Sequence, residues 1–338
     1  MNILITGGCG FVGSSLALNI KQKYPKYEVT ALDNLHRNGS ELNIPILHEA
    51  GINFIQGDVR RPEDLEPLNY DLMIEASAEP SVMAGLNGDD RYLMETNFGG
   101  LFNCVRSVLD NSAKLIFLST SRIFPMSAIN GLEYIEEASR YTMKYGHGIA
   151  ENFPKEGTRS LYGMSKYAGE LLIAEYIEML GLKAIINRCG LLAGRGQFGK
   201  TDQGVVTHWA ASYIYDKPLS IFGNGKQVRD ILNVKDLFRL IDMQIHSFDR
   251  FRSELFNIGG GIENSLSIFE LDALCKKLIG AKEVPFMPER VMDIKYYVTD
   301  NTKIQSYGWS PEISAEETLK EIADWITENK EELKWIFA

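Results

Sequence analysis

Along the first half of the chain, short apolar runs alternate with stretches whose apolar positions repeat every three to four residues. Asn2-Ile-Leu-Ile-Thr6 is nearly all apolar, the pattern of a central parallel strand covered on both faces. A helical period follows from Phe11 to Ile20, and Glu28-Val-Thr-Ala-Leu32 then closes a βαβ unit at Asp33. Asn53-Phe-Ile-Gln-Gly-Asp58, Tyr70-Asp-Leu-Met-Ile-Glu75, Lys114-Leu-Ile-Phe-Leu118 and Lys183-Ala-Ile-Ile-Asn187 read as four further strands. A long helical stretch reaching about Leu109 precedes the fifth strand, and a helix from Tyr162 to about Leu180 precedes the sixth. Strands alternating with helices predict an α/β fold, a doubly wound parallel sheet.

Beyond Arg188 the pattern changes. Gly190 to Gly204 is loop-like, helices are expected near 205–215, 234–245, 268–279 and 315–325, and short strands near 219–222, 230–232 and 254–258. This half reads as a smaller lobe woven into the first. Residues 125–158 read as an irregular region with short elements, holding His147 and Glu151.

Composition narrows the function. The 45 acidic residues exceed the 35 basic ones, a formal charge of −10, which argues against a general nucleic-acid binder and against docking on anionic membranes. No apolar run approaches the roughly 20 residues needed to cross a bilayer. Cys9, Cys104, Cys189 and Cys275 have no redox or zinc spacing, and the histidines have no metal-binding spacing. The expectation is a cytoplasmic protein with reduced thiols and no metal.

Candidate chemistry begins at Gly7, Gly10 and Gly13, between the first strand and the first helix. One glycine makes the turn, one lets backbone approach a pyrophosphate at the helix N-terminus, and one lets helix pack on strand. Asp33 ends the second strand, where a carboxylate accepts from ribose hydroxyls and repels a 2′-phosphate. That favours NAD over NADP, although Arg37 nearby keeps the second open. Asp58 suits an adenine contact and a turn cap equally well. Ala76-Ser-Ala78 is a small-residue turn that permits close approach of a cofactor. Ser119, Thr120 and Ser121 end the fifth strand, where an open parallel sheet binds ligands, but where hydroxyls also serve simply as turn formers. Tyr162 and Lys166 lie one helical turn apart, and an ammonium beside a phenol favours the phenolate, a candidate general base. An exposed tyrosine and a solvated lysine at that spacing would look the same.

Together, Thr6-Gly-Gly-Cys-Gly-Phe-Val-Gly13, Ser119-Thr120 and Tyr162-Gly-Met-Ser-Lys166 resemble the extended short-chain dehydrogenase/reductase family, the NAD-dependent nucleotide-sugar epimerases and dehydratases. The resemblance covers essentially the whole chain. Gln197-Phe-Gly-Lys-Thr-Asp-Gln-Gly204, Gly223-Asn-Gly-Lys-Gln-Val-Arg-Asp230 and Gly259-Gly-Gly-Ile-Glu-Asn-Ser-Leu-Ser267 are similar to its CDP-paratose 2-epimerase subgroup. Ile123-Phe-Pro125 and Leu191 depart from the wider family, which often has Val-Tyr-Gly and an asparagine there.

The resemblance implies a seven-stranded Rossmann-type sheet over residues 1–188 with a returning segment at about 229–258. It implies a C-terminal substrate-binding lobe formed by 189–228 and 259–338, and a homo-oligomer joined by a helix bundle. It implies contacts to NAD from Gly7, Gly10, Phe11, Val12, Gly13, Asp33, Asn34, Arg37, Asp58, Val59, Ala76, Ala78, Asn97, Tyr162 and Lys166. Catalysis would fall to Thr120, Tyr162 and Lys166. A nucleotide-sugar substrate, with a CDP-sugar favoured, would be held by Ser81, Thr120, Gln197, Asp202, Gln203, Arg229 and Arg290, while Lys226 and Arg195 read equally well as surface charges. The implied reaction inverts C2 of a CDP-dideoxyhexose through a 2-keto sugar. C4 inversion of a UDP-hexose or UDP-uronate is the alternative, and a non-catalytic NAD-binding protein is the alternative of another class. A 4,6-dehydratase is disfavoured, because Ser121 and Arg122 follow Thr120 where relatives carry an Asp-Glu pair.

Overall fold

The computed structural model describes residues 1–86, 90–200, 203–289 and 293–337. The expected strands form as β1 (Asn2–Thr6), β2 (Glu28–Asp33), β3 (Asn53–Gln56), β4 (Leu72–Glu75), β5 (Lys114–Thr120), β6 (Lys183–Cys189) and β7 (Leu255–Ile258). They make one seven-stranded sheet in the order β7-β6-β5-β4-β1-β2-β3. The inner strands β4 and β5 are almost wholly buried, as their unbroken apolar runs require, whereas the edge strand β3 is not.

Strand β1 pairs in parallel with β2 on one side and with β4 on the other. The order therefore reverses beside β1, and the segments leaving β1 and β4 emerge together at the C-terminal edge, the place where such sheets bind ligands. The register sets Thr6 against Glu75, and the Ala76 amide donates to the Thr6 carbonyl at 3.2 Å.

Three helices pack on this sheet and position its C-terminal edge: α1 (Phe11–Lys23), α2 (Leu101–Asp110) and α3 (Leu161–Leu180). Leu4, Met73, Leu115 and Phe117 of the sheet pack with Val105 and Val108 of α2 and Ile173 of α3 in one core cluster. The stretch before α2 is not the uninterrupted helix that its sequence predicts. Glu95–Gly100 is a π-helix. A Cβ on Gly100 would stand 2.6 Å from Val59 Cγ2, so glycine there lets the chain lie directly on the segment after β3.

Contacts divide the chain into two compact units. Unit 1 comprises Met1–Ile123, Ser160–Arg188 and Leu237–Phe256, and unit 2 comprises Phe124–Arg159, Cys189–Asp236 and Asn257–Ala338. Within unit 2, the strand Val228–Asn233 pairs in parallel with Leu191–Ala193 and antiparallel with Ser265–Ser267. Ser267 and Ser314 each begin a helix with a reciprocal capping box, which satisfies amides that a helix start leaves unbonded. No helix among the described residues is long and apolar enough to cross a membrane.

Candidate active site

The glycine loop is built by exclusion of side chains. A Cβ on Gly13 would lie 2.2 Å from the Gly7 carbonyl oxygen, and one on Gly7 would lie 2.7 Å from the Ala76 oxygen, at a φ of +63°. These two glycines let α1, β1 and the turn at Ala76 close on one another. Gly8 does the same toward β2, where its Cβ would meet that of Ala31 at 2.6 Å, a role that spacing alone does not reveal. Gly10 is different. It caps α1, and a Cβ there meets only the Gly7 oxygen, at 3.2 Å. Space is therefore open beside Gly10 at the start of α1, where first-turn amides lack intrahelical partners, a setting that suits a pyrophosphate.

Asp33 lies beside this loop. Its carboxylate accepts from the Cys9 amide at 3.0 Å and from the Leu35 amide at 2.8 Å. Burial pushes its pKa up, and those amides oppose the shift. Burial and Asp33 push the Cys9 thiol up to about 12, so Cys9 is a packing residue rather than a nucleophile. Asp58 is clamped: Arg60 donates to both of its oxygens and Asn34 Nδ2 donates at 3.1 Å. Burial would raise its pKa, but the hydrogen bonds from Arg60 and Asn34 outweigh that and bring it down to about 2. Asp58 also accepts from the Arg60 amide, so it shapes the turn whatever else it touches, and Val59 beneath Gly100 is buried.

Helix α3 carries the acid–base candidates. Ser160 caps it by accepting from the Gly163 amide at 3.1 Å, and Gly181 ends it in a left-handed conformation. Tyr162, Lys166 and Glu170 recur every four residues and share its buried face. Lys166 is only 2 % exposed, so the reading of a solvated lysine does not hold. Its Nζ lies 3.4 Å from Glu75 Oε2, 3.5 Å from the Ser77 carbonyl and 4.6 Å from the centre of the Phe117 ring. One turn on, Glu170 takes three contacts from the Arg188 guanidinium at 2.7 to 3.0 Å and one from the Ser119 hydroxyl at 2.5 Å.

The strand-end hydroxyls of β5 therefore do different work. Ser119 is committed to Glu170 and ties the sheet to α3. Thr120 points to the other face of the strand, as alternation requires. Its oxygen accepts from the Arg122 amide at 3.2 Å, which leaves the hydroxyl hydrogen to donate elsewhere. Asn97, inside the π-helix, exchanges two hydrogen bonds with the backbone of Glu79 and donates to Ser165 Oγ, fastening the segment after Ala78 to α3. Ser81 accepts from the Met83 amide in that same segment.

Unit 2 holds the remaining substrate candidates. Gln197 donates to the Leu192 carbonyl at 3.0 Å and accepts from Thr207 Oγ1 at 2.7 Å, so both ends of its amide support its own loop. Gln203 pairs through its backbone with Lys200. Arg229 is held by Asp293 at 2.7 Å, and Lys226 by Glu136 at 2.9 Å. Asp202 and Arg290 lie outside the described residues. Sequence reading missed Glu75, Ser77 and Glu170. An acid closing the apolar strand Leu72-Met-Ile-Glu75 was the available signal for the first, and the four-residue step from Lys166 for the last.

Comparisons with known proteins agree on one family. The family model for the NAD dependent epimerase/dehydratase family matches residues 3–259. The CDP-paratose 2-epimerase of Salmonella typhi is 31% identical over 96% of this chain and 99% of its own. A putative UDP-glucose 4-epimerase of Methanocaldococcus jannaschii is 28% identical over 97% of this chain and 99% of its own. The solved structure of the Thermus thermophilus UDP-glucose 4-epimerase in complex with NAD superposes with a TM-score of 0.80 at 25% identity, covering 97% of this chain and 99% of that one.

Proposed function

The chain belongs to the NAD dependent epimerase/dehydratase family, and we propose that it is a sugar-nucleotide epimerase that inverts C2 of a CDP-dideoxyhexose, converting CDP-paratose to CDP-tyvelose. The observation that carries an acid–base enzyme is the buried Tyr162–Lys166 face of α3 at the edge where β1 and β4 part. What supports the CDP-sugar is the Salmonella typhi relative, together with the Gln197–Gly204 loop.

The glycine loop and Asp33 suit NAD: Gly10 leaves open space at the α1 N-terminus, and Asp33 stands ready as the ribose acceptor. Bound NAD supplies a reversible two-electron acceptor that is regenerated within each cycle. Tyr162 takes the proton of the reacting sugar hydroxyl and returns it after the keto sugar has presented its other face. Lys166, one turn on, is the cation that favours the phenolate, and Thr120 donates to the reacting oxygen, holding it in line. Arg229 and Arg290 are the proposed diphosphate contacts, since a guanidinium fork matches two phosphate oxygens.

The second reading, C4 inversion of a UDP-sugar, is favoured by the Methanocaldococcus jannaschii relative. NMR of products from a panel of CDP- and UDP-sugars distinguishes the two. Inversion at C2 of a CDP-sugar is expected, and UDP-sugar C4 inversion without any CDP-sugar turnover would replace this reading with the second.

We also infer a homo-oligomer. Phe102 on α2 and Met164, Leu171 and Met179 on α3 are exposed, and the three on α3 lie along one side of the helix. Sedimentation velocity is expected to show a dimer that Leu171→Glu dissociates. A monomeric wild type would refute it.

A further inference from the structure

Glu75 is the one charged residue of β4 and is 1 % exposed. A carboxylate is costly to bury unless it is paired and hydrogen-bonded. Both conditions are met: Lys166 Nζ lies 3.4 Å from Oε2, and the Ser77 hydroxyl donates to Oε1. The groups facing this pair come from several elements: β1 sets Thr6 in register with Glu75. From β5 comes the Phe117 ring, and from the segment after β4 the Ser77 carbonyl. From α2 comes Cys104, whose thiol proton is held well above the ordinary range by burial first and by Glu75 second, with Lys166 opposing. On α3, Tyr162 lies one turn before Lys166, and Glu170 lies one turn after, already committed to Arg188.

The ammonium thus has a fixed counter-charge next to it and a phenol one turn away. An ammonium shared with a carboxylate stabilises a phenolate less than an unshared one. We propose that Glu75 is a positioning residue that holds the Lys166 ammonium and moderates its pull on Tyr162, so that it sets the pH at which the phenol ionises. This rests on the reading of Tyr162 and Lys166 as the acid–base pair.

The test needs no sugar nucleotide. Near-ultraviolet phenolate absorbance of the NAD-loaded protein is followed against pH, and the titration of Tyr162→Phe is subtracted to isolate Tyr162. Glu75→Gln, which keeps shape and removes charge, is expected to lower the Tyr162 midpoint by about one pH unit. In a Lys166→Met background the same change is expected to have no further effect, because the ammonium through which Glu75 acts on the phenol is gone. A folded Glu75→Gln protein with an unmoved or raised midpoint overturns the proposal. If Glu75→Gln does not fold, Glu75→Asp retracts the carboxylate from the ammonium and is read the same way: a lower midpoint supports the proposal, an unmoved one overturns it. A wild-type protein with no Tyr162 step at all removes the acid–base reading and the proposal with it. A step that ignores Glu75 removes the proposal alone.

Discussion

Tyr162→Phe is expected to slow turnover about a thousandfold, within the range that a positioned general acid–base group contributes, while the variant still carries NAD. The substitution deletes one hydroxyl from a side chain on the buried face of α3 and leaves the ring that packs there. The glycine loop and Asp33 are untouched, so cofactor retention is a built-in control. Turnover is read by NMR and bound NAD by mass spectrometry of the denatured protein. A variant that turns over at the wild-type rate would mean that Tyr162 is not the base. A wild type that retains NAD yet turns over no sugar nucleotide would instead favour the non-catalytic alternative.

The largest effect on stability is expected at Glu170. Removing it by Glu170→Ala takes from Arg188, itself 3 % exposed, the carboxylate that neutralises it, and strips Ser119 of its acceptor. Breaking a buried pair from one side costs about 3–5 kcal/mol, whereas replacing both partners with apolar groups of similar volume is often close to neutral. Urea denaturation at neutral pH should therefore show a much lower midpoint for Glu170→Ala than for the double variant Glu170→Leu with Arg188→Met. Equal losses in the two would show that the pair is not the source of the effect.

Much of the sheet was legible because its strands are buried on both faces, and that condition writes itself as unbroken apolar runs such as Ile3-Leu-Ile5 and Leu115-Ile-Phe-Leu118. The glycine loop was legible for a related reason: side chains are sterically excluded there, and only one residue type lacks one. What stayed hidden was the charged interior. Glu75 meets Lys166 across 91 positions of sequence, and a carboxylate is by default a surface residue until a partner brought by the fold makes burial tolerable. The π-helix was hidden for the same reason. Gly100 within a helical stretch signals close packing, but that it packs on Val59, in the segment after β3, appears only in the fold. The setting of Gln197 was hidden as well: its amide is engaged by Leu192 and Thr207, partners that only the fold brings to it.

Ser160 and Gly181 fix where α3 begins and ends, and the clamp of Glu170 by Arg188 and Ser119 fixes its rotation about its own axis. A helix turns by about 100° per residue, so a slip of one position would swing the phenol out of line. The phase of Tyr162 is therefore locked from its C-terminal side by Glu170, Arg188 and Ser119, all buried in unit 1. A side chain two turns further along the helix thus sets which way the phenol faces.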